Sequence, residues 1–218
     1  MQSKLIIKSL IDEDSLQELY KMLPLDEKLD ILLPYIWLSR DSEKIQALSD
    51  TLSSITTKNI ASVDLHTNVR NIFNIKMVKF WKNIIPESDV KVAPDKGAYA
   101  RSMEIDFGIV LNKTRTETDL TVSGDCSAIT PKMDCTIVDD IIDTGKTVLA
   151  VTELLYKSGA KSVSVCATHG VLSGKSIENL QNSDIKNIYI TNTIPQKKLP
   201  KKFIVLKIED YIAENYPF

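Results

Sequence analysis

The chain has 218 residues, of which 43% are hydrophobic and 26% charged. These are ordinary globular values and exclude an intrinsically disordered chain. A formal net charge of −2 and a pI near 5.8 argue against tight binding to bulk nucleic acid, so no nucleic-acid partner is expected.

In chain order, 5–7 reads as a short strand. Residues 14–23 carry Leu16, Leu19, Tyr20 and Leu23 at helical spacing. The apolar run 31–33, ended by Pro34, reads as a buried strand. Asp41 is placed to cap a helix through Leu52, with Ile45, Leu48 and Leu52 on its buried face. A strand over 60–65 and a helix over 69–73 follow. Further strands are predicted over 90–92, 105–111, 136–138, 163–165, 188–190 and 203–206. A helix over 146–157 is closed by Ser158 and Gly159, and another covers 208–214. Strand alternates with helix, which predicts an α/β protein with mainly parallel sheets flanked by helices. The longest apolar stretch, 31–38, contains Pro34 and falls far short of the roughly 20 residues that span a bilayer, so no membrane partner is expected. Residues 1–4 lead into only three apolar residues before Lys8, which is not a signal-peptide pattern. Cys126, Cys135 and Cys166 are odd in number and lack metal-type spacing. They read as free thiols in a reducing cytosol, and a cytoplasmic location is expected.

All seven glycines lie at or after Gly97. Close backbone approach to a phosphate favours glycine, so a phosphate site belongs to the second half. The strongest local signal is Thr136-Ile137-Val138-Asp139-Asp140-Ile141-Ile142-Asp143-Thr144-Gly145-Lys146-Thr147. An apolar strand runs into two carboxylates, then a loop of small residues, then a helix. The helix N-terminus presents free N–H groups to an anion, and Thr144, Lys146 and Thr147 add donors. Asp139 and Asp140 would repel a phosphate, but they suit sugar hydroxyls or a hydrated metal beside it. Together these imply a sugar phosphate. A P-loop is excluded, because Asp140 stands where that motif needs its first glycine. The polar segment 112–131 reads as a long loop, either a lid or disordered.

This arrangement resembles the ribose-phosphate loop of the type I phosphoribosyltransferase fold. Other segments narrow the resemblance to the ribose-phosphate pyrophosphokinases (PRPP synthases). Val63-Asp64-Leu65-His66 with Ile72-Phe73-Asn74-Ile75 looks like one signature of that family, and Ala93-Pro94-Asp95-Lys96-Gly97 like another. Thr168-His169-Gly170-Val171-Leu172-Ser173-Gly174 and Thr191-Asn192-Thr193-Ile194-Pro195 are similar to two more, and Pro34-Tyr35 with Arg40 to a fifth.

The resemblance implies two phosphoribosyltransferase-like halves, 1–76 joined by the C-terminal helix 207–218, and 77–206. It implies transfer of the β,γ-diphosphate of ATP to the anomeric hydroxyl of ribose 5-phosphate, giving PRPP and AMP, with Mg²⁺ as cofactor. Asp139, Asp140, Asp143, Thr144, Gly145, Lys146 and Thr147 would hold the ribose phosphate. Lys113 and Arg115 would be the catalytic cations, Arg40 and His66 would meet the nucleotide, and His66 and Asp95 the metal. His169 would be structural, in a chain reversal over 168–174. The lysines between 197 and 202 would lie on a solvated loop. A homo-oligomer is expected.

The sequence also departs from the family. Met1 falls about where the third strand would lie, so the first half is expected to be shortened, with weak or no ADP feedback. Asp41, Ser42 and Glu43 replace the residues expected after Arg40 and add negative charge there. Alternative functions are diphosphate transfer to another ribose-phosphate acceptor such as ADP-ribose, a phosphoribosyltransferase reaction, and a non-catalytic regulatory role.

Overall fold

The computed structural model describes residues 5–24, 29–55, 57–87, 89–116 and 120–216. Residues 1–4, on which the leader reading rests, and 117–119 of the long polar segment lie outside them. The chain divides into two compact units, Met1–Met77 with Ile208–Phe218, and Val78–Lys207. Both are α/β, with mainly parallel sheets flanked by helices, as the alternation of strand and helix implies.

In the first unit, β1 (Leu5–Ile7), β2 (Leu29–Leu33), β3 (Thr57–Val63) and β4 (Phe73–Ile75) form a parallel sheet in that order. All five residues of β2 are buried, as in a parallel strand covered on both faces. One of them is Asp30, whose Oδ1 accepts from Asn59 Nδ2 at 2.7 Å. Helix α1 (Glu13–Met22) starts in a capping box. Asp12 Oδ1 accepts from the Ser15 N–H at 2.9 Å, and Ser15 Oγ accepts from the Asp12 N–H at 3.1 Å. Asp41 caps α2 (Ser42–Ser54) by accepting from the Lys44 N–H at 3.1 Å. Leu16 and Leu19 from α1, with Ile45, Leu48 and Leu52 from α2, complete a core with Ile31, Leu33 and Ile60.

The helix predicted over 69–73 does not form. Asn71 is left-handed (φ 63°), and Phe73 already pairs with Ala61 in the sheet. Side chains of α2 take the backbone that a helix would use: Gln46 Oε1 accepts from the Arg70 N–H at 3.1 Å, and Ser49 Oγ donates to the Arg70 carbonyl.

The second unit carries β5 (Val90–Ala93), β6 (Ile109–Val110), β9 (Asp134–Ile142), β10 (Ser162–Gly170), β11 (Ile188–Thr191) and β12 (Phe203–Leu206). They form a parallel sheet in the order β12-β11-β10-β9-β5-β6. Helix α5 (Lys146–Lys157) has the bounds its periodicity predicts and buries Val148, Val151, Thr152 and Leu155. Gly159 beyond it is left-handed, at φ 100°. Of the strand predicted over 105–111, only β6 pairs. Ile105 instead closes a turn onto the Ser102 carbonyl at 2.8 Å. Three helices, α3 (Val78–Ile84), α4 (Lys96–Arg101) and α6 (Ser176–Gln181), were not anticipated. They are too short to display a helical period.

The segment 112–131, expected as a loop, begins as an antiparallel hairpin of β7 (Asn112–Arg115) and β8 (Leu120–Ser123). Thr114, Thr121 and Val122 are β-branched and suit extended pairing, and Val122 packs against the core of this unit. Among the described residues no helix is long and apolar enough to cross a membrane.

Trp81 of α3 is buried and donates its indole N–H to Thr168 Oγ1 of β10 at 3.1 Å. Trp81→Phe keeps most of the packing and removes that bond. It is expected to lower unfolding free energy by about 1 kcal/mol in urea titrations, against about 3–5 kcal/mol for Trp81→Ala.

Candidate active site

Strand β9 lies inside its sheet, between β10 and β5. Its residues 135–138 are buried, and it carries Asp139 and Asp140 toward its C-terminal end, where open parallel sheets bind ligands. The chain leaves the strand at Ile142, whose carbonyl accepts from the N–H groups of Val171 (2.9 Å) and Leu172 (3.1 Å). The turn 171–174 therefore borders the loop that begins at Asp143. Ser173 ties the two together, its hydroxyl donating to Asp143 Oδ1 at 2.5 Å and its N–H to the Asp143 carbonyl at 3.2 Å.

Gly145 is the N-cap of α5 and adopts φ 78°. A Cβ there would be strained by this φ and would lie 3.2–3.3 Å from Leu180. No side chain caps α5 at Gly145, so its first-turn N–H groups are left for an incoming anion. Thr144 and Lys146 are exposed beside them, and Thr147 and Asp143 are half-buried. This loop can bind a phosphate by main-chain donors, with hydroxyl and ammonium donors around it.

Asp139 and Asp140 lie deeper. Asp140 is buried, and Asp139 Oδ1 accepts from the Asp140 N–H at 2.9 Å. Burial, reinforced by the neighbouring Asp140 carboxylate, pushes Asp139 well above the usual carboxylate range. The opposing pull comes from Arg101, at the end of α4. Its Nη2 reaches Asp140 Oδ1 at 2.9 Å and Asp139 Oδ1 at 3.3 Å. Sequence reasoning missed Arg101. Its signal was indirect: two adjacent carboxylates on a buried strand require a cation, but nothing local says which one.

Asp95 caps α4, accepting from the Ala98 N–H at 2.8 Å, and its other oxygen pairs with the Lys113 ammonium of β7. Burial alone would raise its pKa. The Lys113 ammonium, the Ala98 N–H and the nearby Arg101 outweigh it and hold Asp95 below the usual carboxylate range. Gly97 leaves room for this cluster, since a Cβ there would meet Asp95 Oδ1 at 3.0 Å and Arg101 Nη1 at 3.1 Å. Lys113 and Arg115 share one face of β7 by the two-residue strand period, but Arg115 is exposed while Lys113 is half-buried. The structure thus joins Lys113 to Asp95 and leaves Arg115 at the surface.

Arg40 and His66 belong to the first unit. Arg40 ends the 3₁₀ turn Trp37–Arg40 and is exposed. His66 is half-buried after Leu65, whose N–H is held by Asn74 Oδ1 at 2.9 Å.

The remaining residues singled out in the sequence make contacts within the fold. Residues 168–170 are the end of β10, so the expected reversal occupies only 171–174. His169 is buried, with Nδ1 2.9 Å from Thr193 Oγ1. Thr191 and Thr193 both donate to the Thr168 carbonyl, at 2.7 and 3.2 Å. Two motifs far apart in sequence thus meet as one buried hydroxyl network. Lys202, expected on a solvated loop, instead donates to the carbonyls of Leu180 (3.2 Å), Gln181 (2.7 Å) and Ser183 (2.7 Å), closing the C-terminal end of α6. The three cysteines are buried and free, and burial pushes the Cys135 thiol up to about 11.

A parallel sheet whose inner strand ends in paired carboxylates, followed by a glycine-capped helix, places the second unit in the phosphoribosyltransferase-type class. Comparison with known proteins narrows that class. The model of the phosphoribosyl synthetase-associated domain matches residues 84–215. A ribose-phosphate pyrophosphokinase of Thermotoga maritima is 30% identical over 211 residues, covering 84% of this chain and 67% of that protein. One from Aquifex aeolicus is 32% identical over 177 residues, covering 72% of this chain and 57% of that protein. The crystal structure of phosphoribosylpyrophosphate synthetase from Mycobacterium smegmatis superimposes with a TM-score of 0.78 at 25% identity, over 96% of this chain and 79% of that one. The chain belongs to the ribose-phosphate pyrophosphokinase family. It spans 57% of the length of the Aquifex relative and 67% of the Thermotoga one.

The raised Asp139 gives a signed pH prediction. The folded protein resists ionising this group, so Asp139 costs stability at neutral pH, and the cost fades as pH falls toward the unfolded value of about 3.9. Asp139→Asn is therefore expected to raise the midpoint of thermal unfolding at pH 7, with the gain shrinking to nothing below about pH 4. Asp95, held below the usual range, has the opposite sign. The stability from its Lys113 pair is present above about pH 4 and lost as pH falls further, and Asp95→Asn is expected to lower the midpoint at pH 7. Scanning calorimetry of both variants from pH 3 to 8 reads the two signs directly.

Proposed function

We propose that the protein transfers the β,γ-diphosphate of ATP to the anomeric hydroxyl of ribose 5-phosphate, releasing AMP. The observation that carries this reading is the juxtaposition of the uncapped α5 N-terminus with the largely buried carboxylates Asp139 and Asp140 on the strand before it. It is supported by relatives named ribose-phosphate pyrophosphokinase. The loop 143–147 binds the 5-phosphate, with Thr144, Lys146 and Thr147 around the main-chain donors. Asp139 and Asp140 accept hydrogen bonds from the ribose hydroxyls and orient the anomeric one. That oxygen bonds to the β-phosphorus and loses its proton to water as the bond from the bridging oxygen to the β-phosphorus breaks, so AMP carries away the bridging oxygen. Lys113 and Arg115 lie together on β7 and offer two cations to the transferring phosphoryl oxygens.

Mg²⁺ fits part of the donor set. Asp95 supplies the hard oxygen ligand the ion prefers, while among the described residues no cluster of three or more ligating side chains is gathered. Asp95 would therefore hold the ion together with water and substrate phosphates, the usual manner for Mg²⁺. When bound, the ion would neutralise phosphate charge. Lys113, paired to Asp95, would exchange that partner for phosphate oxygens.

The test is AMP release from ATP and Mg²⁺ with and without ribose 5-phosphate, with phosphorus NMR of the product. AMP formation that depends on the sugar, with a new anomeric diphosphate signal, is the expected result; no AMP from the folded protein would overturn the reading. Lys113→Ala and Arg115→Ala are each expected to slow AMP formation by about 10²–10³-fold, the cost of removing one preorganised charge donor. An unchanged rate would remove that residue from the mechanism.

A further inference from the structure

We propose that Arg101 is a positioning residue for the sugar end of the substrate: it holds Asp139 and Asp140 in place as a pair of acceptors for ribose hydroxyls. This rests on the ribose phosphate reading of the site.

Four observations carry it. First, Arg101 contacts both carboxylates through one nitrogen, at 2.9 Å to Asp140 Oδ1 and 3.3 Å to Asp139 Oδ1. A single cation thus fixes one oxygen of each and sets their mutual orientation. Second, the three side chains are largely buried, with 17% of Arg101, 9% of Asp139 and 6% of Asp140 exposed. Like charges this close and this desolvated repel strongly, and a guanidinium, always protonated, is the counter-charge that cannot be lost. Third, the placement of Arg101 serves the carboxylates and not its own donors. Its Nε is buried without a hydrogen-bond partner, a cost that arginines in structural networks normally avoid. Fourth, Gly97, one turn earlier on α4, is the residue whose side chain would crowd Arg101 Nη1, at 3.1 Å. Gly97 thus leaves space for the guanidinium.

The consequence is a division of labour within the site. Loop 143–147 recognises the phosphate through its own donors, while the Arg101 guanidinium is engaged by Asp139 and Asp140. The pair Asp139–Asp140 recognises the hydroxyls and depends on Arg101 for its geometry. Loss of Arg101 should therefore weaken a sugar phosphate and spare inorganic phosphate, whereas a residue that merely stabilised the fold would affect both alike.

The experiment compares the parent protein with Arg101→Ala and Arg101→Lys. Ribose 5-phosphate is titrated by calorimetry and inorganic phosphate by phosphorus NMR, with thermal unfolding as the check on folding. Arg101→Ala is expected to bind ribose 5-phosphate about tenfold more weakly or worse, the scale of one charge-assisted contact, and inorganic phosphate within about twofold of the parent. Arg101→Lys keeps the charge without the planar fork and is expected to recover part of the loss. Should Arg101→Ala not fold, Arg101→Lys set against Arg101→Gln carries the same comparison. Unchanged ribose 5-phosphate binding in Arg101→Ala, or equal loss of both ligands in a folded variant, overturns the role of Arg101 alone. A parent protein that binds inorganic phosphate but not ribose 5-phosphate overturns the functional reading, and this one with it.

Discussion

The candidate site depends on the parallel ladder between β9 and β10, which runs in register from Asp134 and Ser162 to Ile142 and Gly170. Because β9 is an inner strand, its middle must be apolar, and Cys135, Ile137 and Val138 fill that requirement. The same ladder ends both strands at one level, so the loop after Ile142 and the turn after Gly170 emerge side by side. The hydrogen bonds from Val171 and Leu172 to the Ile142 carbonyl extend the pairing by one step and frame the loop 143–147. Gly145 then turns the chain into α5 with its first amides uncapped. A slip of this register by one residue would turn Asp139 and Asp140 to the opposite faces of the sheet.

A strand that must be buried is a costly place for two adjacent carboxylates. The second unit meets this cost with cations from other elements, Arg101 from α4 against Asp139 and Asp140, and Lys113 from β7 against Asp95. These acids differ in consequence. Asp139 is driven above the usual range because burial and Asp140 outweigh Arg101. Asp95 is more open and accepts both a backbone N–H and an ammonium, so it is driven below. Two carboxylates in one unit are thus displaced in opposite directions by the balance of burial and counter-charge around each. The buried hydroxyl network of Thr168, His169, Thr191 and Thr193 lies at the far ends of β10 and β11 and supports the same edge of the sheet with its polar groups satisfied.

Where a local pattern was long and uncontested, the sequence could be read directly. The apolar spacing of 146–157, closed by Ser158 and Gly159, predicts α5 to the residue, and Asp41 caps its helix as its position suggests. The failures share one cause, competition from distant groups. Residues 69–73 have helical spacing, but Gln46 and Ser49 capture the Arg70 backbone, and β3 takes Phe73 as a strand partner. The polar run after Asn112 looks like a loop, yet the β-branched Thr114 and Thr121 pair across it. Lys202 sits among lysines that suggest a solvated surface, but three carbonyls at the end of α6 claim its ammonium.

The sequence by itself determined the alternation of strand and helix, the family, and the composition of the candidate loop from Asp139 to Thr147. All of these are set by neighbours a few residues apart, where spacing, propensity and loop chemistry act. The tertiary structure alone decided which cation faces which acid. Arg101 lies 38 positions from Asp139, and Lys113 meets Asp95 through a hairpin that the sequence does not announce. Coulombic pairing acts through space and in proportion to burial. Neither the separation of two charges nor their desolvation is a property of the chain until its sheet has formed.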